Sequence, residues 1–148
     1  MSDRASDSAG LKIGILGAGQ FSGTFVPLFQ NHPHVAEVAV ADLVPERAQD
    51  FATRYELKRI FQDLDEMCAS DLDAIAIFTQ RWLHAPQAIQ ALQAGKHVYS
   101  AVPTGITEAE LRGLVQAVQD SGRTYMVDVP LDWVSWRVLE LAPPEKSP

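Results

Sequence analysis

Six consecutive residues, Gly17, Ala18, Gly19, Gln20, Phe21 and Ser22, carry the clearest chemical signal in the sequence. They read as GxGxxG with serine in the third glycine position, directly after the apolar run LKIGIL. At such a turn the first glycine permits a tight reversal and the second lets a pyrophosphate approach the backbone. A helix starting near Gln20 then offers free N–H groups and a positive dipole end to the anion. Ser22 is small enough to keep that helix close to its strand, and Gly23 adjoins it. Alone, the pattern is also that of a plain glycine turn, so its surroundings decide.

Asp42 is the first of those surroundings. It lies 25 residues after Gly17, at the carboxyl end of a second apolar run, VAEVAVA. A carboxylate there accepts hydrogen bonds from both adenosine ribose hydroxyls and repels a 2′-phosphate, which favours NAD over NADP. Arg47 is close enough in sequence to pair with a 2′-phosphate and keeps NADP open. The other reading of Asp42 is a solvated turn residue. Next comes the segment Thr79 to His84 (TQRWLH), which follows the run DAIAIFT at its carboxyl end, where open α/β sheets bind ligands. His84 at a helix start and Trp82 as a partly buried loop residue are the plainer alternatives to roles beside a cofactor.

Other reactive side chains do not assemble into a site. His32 and His34 form an HxH pattern with no third ligand nearby, so no metal site is expected. Cys68 lies in an acidic stretch, which raises a thiol pKa, and reads as structural. No nucleophile and base can be paired from spacing, and no catalytic residue is assigned.

The elements that must position these groups follow from periodicity. Strands are expected over 11–16, 35–41, 73–79, 96–101 and 124–129, with a weaker one over 58–61. The 73–79 run is apolar nearly throughout, as in a central parallel strand covered on both faces. Phe21, Phe25, Leu28 and Phe29 repeat at helical spacing, with Pro27 set to kink or split that helix. Further helices are read after Pro45 (Ala48, Phe51, Ala52, Tyr55), around 63–69, and over 85–94 up to Gly95. Thr107 and Glu110 form a capping box ahead of Leu111, Leu114, Val115 and Val118 on one face, with Gly122 as the stop. Repeated strand and helix units with short connections imply right-handed crossovers. The expected fold is α/β, a doubly wound parallel sheet.

Composition limits what such a domain can be. The sequence has 148 residues, enough for one compact domain with a real core and too few for two. Twelve Lys and Arg against 19 Asp and Glu give a net charge of −7, so neither nucleic acid nor an anionic membrane is an expected partner. One cysteine suits a reducing compartment, and neither a secretory leader nor a membrane-spanning run is visible, which makes a cytoplasmic location the expectation.

The segments KIGILGAG, VAVADLVPERAQDFATRY, DAIAIFT followed by His84, and ALQAGKHVYSAVP together resemble the Gfo/Idh/MocA family over about residues 11–127. These are the oxidoreductases related to glucose-fructose oxidoreductase and inositol dehydrogenase. The resemblance implies an N-terminal NAD(P)-binding Rossmann domain, normally followed by a larger α/β domain that holds sugar-like or polyol substrates. It carries cofactor contacts onto Gly17, Gly19, Gln20, Phe21, Asp42, Thr79 and His84. Gln80 and Arg81 replace the Pro and Asn usual in that loop. Ala101, Val102 and Pro103 fall where the family has Glu, Lys and Pro. In the family that lysine works near the nicotinamide in proton transfer, and Val102 cannot take a proton.

The expected organisation is a single Rossmann domain over 11–129, between a disordered 1–10 and a tail over 130–148, without the usual second substrate domain. In the tail, Trp133, Trp136 and Leu139 or Glu140 are spaced as a short amphipathic stripe. The expected function is that of the nicotinamide-dinucleotide-binding domain of a Gfo/Idh/MocA-like oxidoreductase, with NAD preferred and NADP open. Its substrate half would come from a separate chain, or the chain would work as a homo-oligomer. A noncatalytic NAD-binding or regulatory module, or a truncated inactive fragment, is the alternative.

Overall fold

The computed structural model describes residues 10–128. The tail stripe and the expected disordered start therefore lie outside the described residues. Along the chain run β1 (Leu11–Leu16), α1 (Gln20–Gly23), α2 (Val26–Gln30), β2 (Val35–Ala41), α3 (Pro45–Arg54), β3 (Ile60–Phe61), α4 (Leu64–Ala69), β4 (Ala74–Ile77), α5 (His84–Gln93), β5 (His97–Ser100), α6 (Glu108–Ser121) and β6 (Tyr125–Val127). All six strands are parallel, in the order β3-β2-β1-β4-β5-β6. The chain moves outward one way from β1 through β3, then returns to β1's other side at β4. This reversal leaves a crevice at the carboxyl ends of β1 and β4.

Burial explains why the central strands read as unbroken apolar runs. Ile15, Val40, Ile75 and Ile77 are fully buried. On one face of the sheet, Met67 of α4, Leu92 of α5 and Leu114 of α6 pack with Ile75 and Ile77. On the other, Val26 of α2 and Phe51 of α3 pack with Ile13, Ile15 and Val40. Each such side chain contributes about 1.5–3 kcal/mol when removed from water.

The first helix divides where Pro27 requires. Thr24 caps α1, Phe25 caps α2, and Pro27 stands in the first turn of α2, where its missing N–H costs nothing. Even so, the aromatic repeat keeps a common direction. Phe25 packs 4.7 Å from Phe78 and 5.8 Å from Tyr99, measured between ring centroids. Burial and a hydrogen bond to Asp128 push the Tyr99 phenol up to about 12.

The α6 face departs from expectation. Its capping box is present and Gly122 ends it in the left-handed conformation, but Leu111 and Val115 are exposed. Leu114 and Ala117 are the buried residues, so the apolar positions wrap around the helix more widely than the inward stripe requires.

At the amino-terminal end of the sheet, polar side chains tie loops together. Lys96 is buried and its Nζ donates to the carbonyls of Ser70 at 2.7 Å and Leu72 at 2.8 Å. The next residue, His97, accepts the Thr124 N–H at Nδ1 over 3.0 Å. Nearby, hydrogen bonds from Lys12 and Arg59 hold the Asp71 carboxyl well below the usual carboxylate range.

Candidate functional site

The glycine turn is fixed from both sides of the crevice. The Gly17 N–H donates to the Ala41 carbonyl at 2.8 Å, which locks the end of β1 to the end of β2. Gly17 has φ +103, and a Cβ there would stand 2.8 Å from the Phe78 carbonyl oxygen. Both its conformation and its closeness to β4 require glycine. At Gly19 the reason differs. Its φ of −91 suits any residue, and a Cβ would meet nothing within 4 Å. The missing side chain leaves open space in front of the first turn of α1. No side chain caps that turn, so the N–H groups of Gln20 and Phe21, exposed residues without intrahelical acceptors, remain available to a ligand.

Packing behind the turn explains the serine. Ser22 is fully buried, and its hydroxyl donates to the Gly19 carbonyl at 2.9 Å. Close approach falls instead on Gly23, where a Cβ would collide with the Tyr55 hydroxyl at the end of α3. The fingerprint's third small position is thus shared between Ser22 and Gly23.

Asp42 forms the opposite wall. Its side chain is 8% exposed, with Oδ2 accepting the Ala18 N–H at 2.8 Å and Oδ1 accepting the Val44 N–H at 2.9 Å. The carboxylate therefore couples the glycine turn to the loop after β2. A carboxylate has about four acceptor sites, so two remain for hydroxyl donors. Arg47, mostly exposed, reaches to 3.7 Å of Oδ1.

Between these walls lies a cleft of about 450 Å³, lined by Gly17, Gly19, Asp42 and Thr79 among the expected residues. It is also lined by Leu43, Val44, Leu64 and Leu83, and by the polar side chains of Asp63, Asp65, Gln87 and Gln90. The Thr79 hydroxyl donates to Gln87 Oε1 at 2.5 Å, and the Gln90 amide donates to Asp65. Three acids against Arg47 give this wall a negative balance that opposes an additional phosphate. Sequence reasoning missed the residues from α4 and α5. The signal for the first was positional, since β3 pairs with β2 and thereby brings the loop after Phe61 beside Asp42. For Gln87 it was the three-residue spacing from His84 on one helix.

Three expected residues do not line the cleft wall. Phe21 is exposed, with its ring edge-on to Phe25 and Phe78. Gln20 is exposed, with its side chain outside the lining of the cleft. His84 is 2% exposed and lies behind the loop, between the carbonyls of Thr79 and Pro103. Trp82 is exposed, against its reading as a partly buried residue. Val102 is also exposed, just past the carboxyl end of β5. Among the described residues, no group of three or more His, Cys, Asp or Glu could hold a metal ion.

Open space before Gly19, uncapped N–H groups and an acceptor with vacant sites at the end of β2 fit a dinucleotide. Comparison with known proteins agrees. Residues 11–129 match the family model for Gfo/Idh/MocA, described as an oxidoreductase family with an NAD-binding Rossmann fold. The chain is 31% identical over 118 residues to a 4-carboxy-2-hydroxymuconate-6-semialdehyde dehydrogenase of Sphingobium, covering 79% of this chain and 38% of that protein. It is 29% identical over 117 residues to the NADP(+) scyllo-inositol 2-dehydrogenase of Bacillus subtilis, covering 78% and 36%. Among solved structures, the biliverdin reductase of Synechocystis, crystallised with biliverdin and NADP+, superimposes with a TM-score of 0.74 at 26% identity, over 80% of this chain and 37% of that one. The chain thus spans little more than a third of the length of these relatives.

Proposed function

The chain belongs to the Gfo/Idh/MocA oxidoreductase family as an NAD-binding Rossmann domain, and from that premise we propose that the cleft between the glycine turn, Asp42 and Thr79 is its dinucleotide site. Gly17 and Gly19 keep the backbone clear for the pyrophosphate, and the N–H groups of Gln20 and Phe21 donate to it. Asp42 takes the adenosine ribose hydroxyls, and Thr79 borders the nicotinamide half. The observation that carries this reading is the pairing of open space at Gly19 with the anchored Asp42 carboxylate across one cleft.

The acidic wall favours NAD over NADP. Titration with NADH and NADPH, followed by nicotinamide fluorescence, is expected to give at least about tenfold tighter binding of NADH, the scale of one lost charge-assisted contact. Equal affinities would contradict the preference and give Arg47 the role of 2′-phosphate partner.

NAD, when bound, supplies the hydride acceptor for oxidation of a secondary alcohol. The accompanying proton needs a base, and Val102 offers none where the family's lysine falls. Turnover of a sugar-like or polyol substrate would therefore draw its base from outside the described residues, and a separate substrate-domain chain or a second copy of this one is a proposed source of it. Val102 equally motivates a second reading, a noncatalytic NAD-binding or regulatory module. Substrate-dependent NAD reduction that is lost in Asp42→Ala would exclude that second reading. A cytoplasmic location is proposed on the single cysteine. No described helix is long and apolar enough to cross a membrane.

A further inference from the structure

His84 is among the most buried polar side chains of the described residues, at 2% exposure. Its ring stands between two backbone carbonyls, with Nδ1 2.9 Å from the Pro103 oxygen and Nε2 3.0 Å from the Thr79 oxygen. These carbonyls belong to different loops. Thr79 follows β4 and lines the cleft, and Pro103 follows β5, the neighbouring strand. With Asp42 marking the adenosine side at the end of β2, the ends of β4 and β5 lie under the other half of a dinucleotide. A neutral imidazole has one N–H to donate, so the ring bonds one of these carbonyls and packs against the other; buried between the two loops and clear of the cleft wall, it acts on the cleft through them.

We propose that His84 is a positioning residue for the nicotinamide half of the site, holding the Thr79 and Pro103 loops at a fixed separation without touching the cofactor. The inference rests on the cleft being the dinucleotide site. It assigns to His84 a role different from direct cofactor contact. Because Thr79 and Gln87 share a hydrogen bond, a displaced Thr79 also releases the Gln87 amide from its place in the wall. The adenosine side has its own anchor in the Asp42 bonds to Ala18 and Val44, which do not involve His84. Loss of the bridge should therefore be felt selectively.

The test compares NADH with ADP-ribose, which lacks only the nicotinamide, on the wild-type chain and on His84→Phe, His84→Asn and His84→Gln. Asn places its amide near the position of Nδ1 and Gln near that of Nε2, so each offers an N–H to one of the two carbonyls. Expected is a loss of NADH affinity of about tenfold in His84→Phe, the scale of a buried hydrogen bond, with Asn and Gln falling between it and wild type. ADP-ribose affinity should stay within about twofold throughout, the scale of a few tenths of a kcal/mol. Equal NADH affinity in wild type and His84→Phe would overturn the proposal. So would a parallel loss of NADH and ADP-ribose in all three variants, which would make His84 a general packing residue. Failure of the wild-type chain to bind either ligand would instead remove the dinucleotide reading itself.

Discussion

Asp42 combines two tasks in one side chain. Its carboxylate oxygens already accept the Ala18 and Val44 N–H groups, so truncation removes a structural bridge along with the proposed ribose partner. Asp42→Ala should weaken NADH binding by at least about tenfold and, separately, lower stability by about 1–3 kcal/mol through the two unserved N–H groups. Thermal melting without cofactor measures the second effect, and an unchanged melting temperature would show that water replaces both bonds. Cys68 presents the opposite case, a reactive residue type made quiet by its place. Burial pushes its thiol pKa up. A higher pKa leaves less thiolate at pH 8, so Cys68 in the folded chain should react with a disulfide reagent more slowly than a free cysteine peptide. Equal rates would mean that the α4 region opens readily.

At the scale of elements, one of the segments that carry the family resemblance turns out to be structural. In AGKHV, Gly95 adopts φ +80, Lys96 holds two carbonyls of the loop before β4, and His97 receives the N–H of Thr124, just before β6. All of this happens at the amino-terminal end of the sheet, opposite the cleft. Lys96→Met should cost about 2 kcal/mol in chemical denaturation by leaving the Ser70 and Leu72 carbonyls without their charged donor. It should leave NADH affinity within about twofold of wild type in the protein that remains folded. A large affinity loss without a stability loss would contradict this placement. The same elements show which features local sequence could reveal. The Pro27 break, the Thr107–Glu110 capping box and the Gly122 stop depend on neighbouring residues and were legible. The exposure of Leu111 and Val115 was not, because helical period gives a face while the width actually covered depends on α5 and the sheet.

For the molecule as a whole, strand order was the decisive quantity. Alternating strands and helices indicate a parallel sheet, and the sequence carries GAGQFS and Asp42 in the right places, so the glycine turn and the acid wall could be read before the fold was known. The remainder of the cleft comes from pairings distant in sequence. β3 beside β2 brings Asp63 and Asp65 to the site, and β4 beside β1 sets Thr79 and Gln87 across from Gly17. His84 was legible as a residue associated with the site, but its two carbonyl partners, one of them 19 residues away, were not. The site thus depends on the whole sheet, and its role as a dinucleotide cradle can be tested at one atom-sized gap. Calorimetric titration of the folded chain with NADH, beside Gly19→Asp, addresses it directly. Saturable binding is expected for the wild-type chain and none for Gly19→Asp, whose added carboxylate would occupy and charge the space proposed for pyrophosphate, with both proteins giving the same circular dichroism. Equal NADH binding by the two folded proteins would contradict a dinucleotide site at the glycine turn.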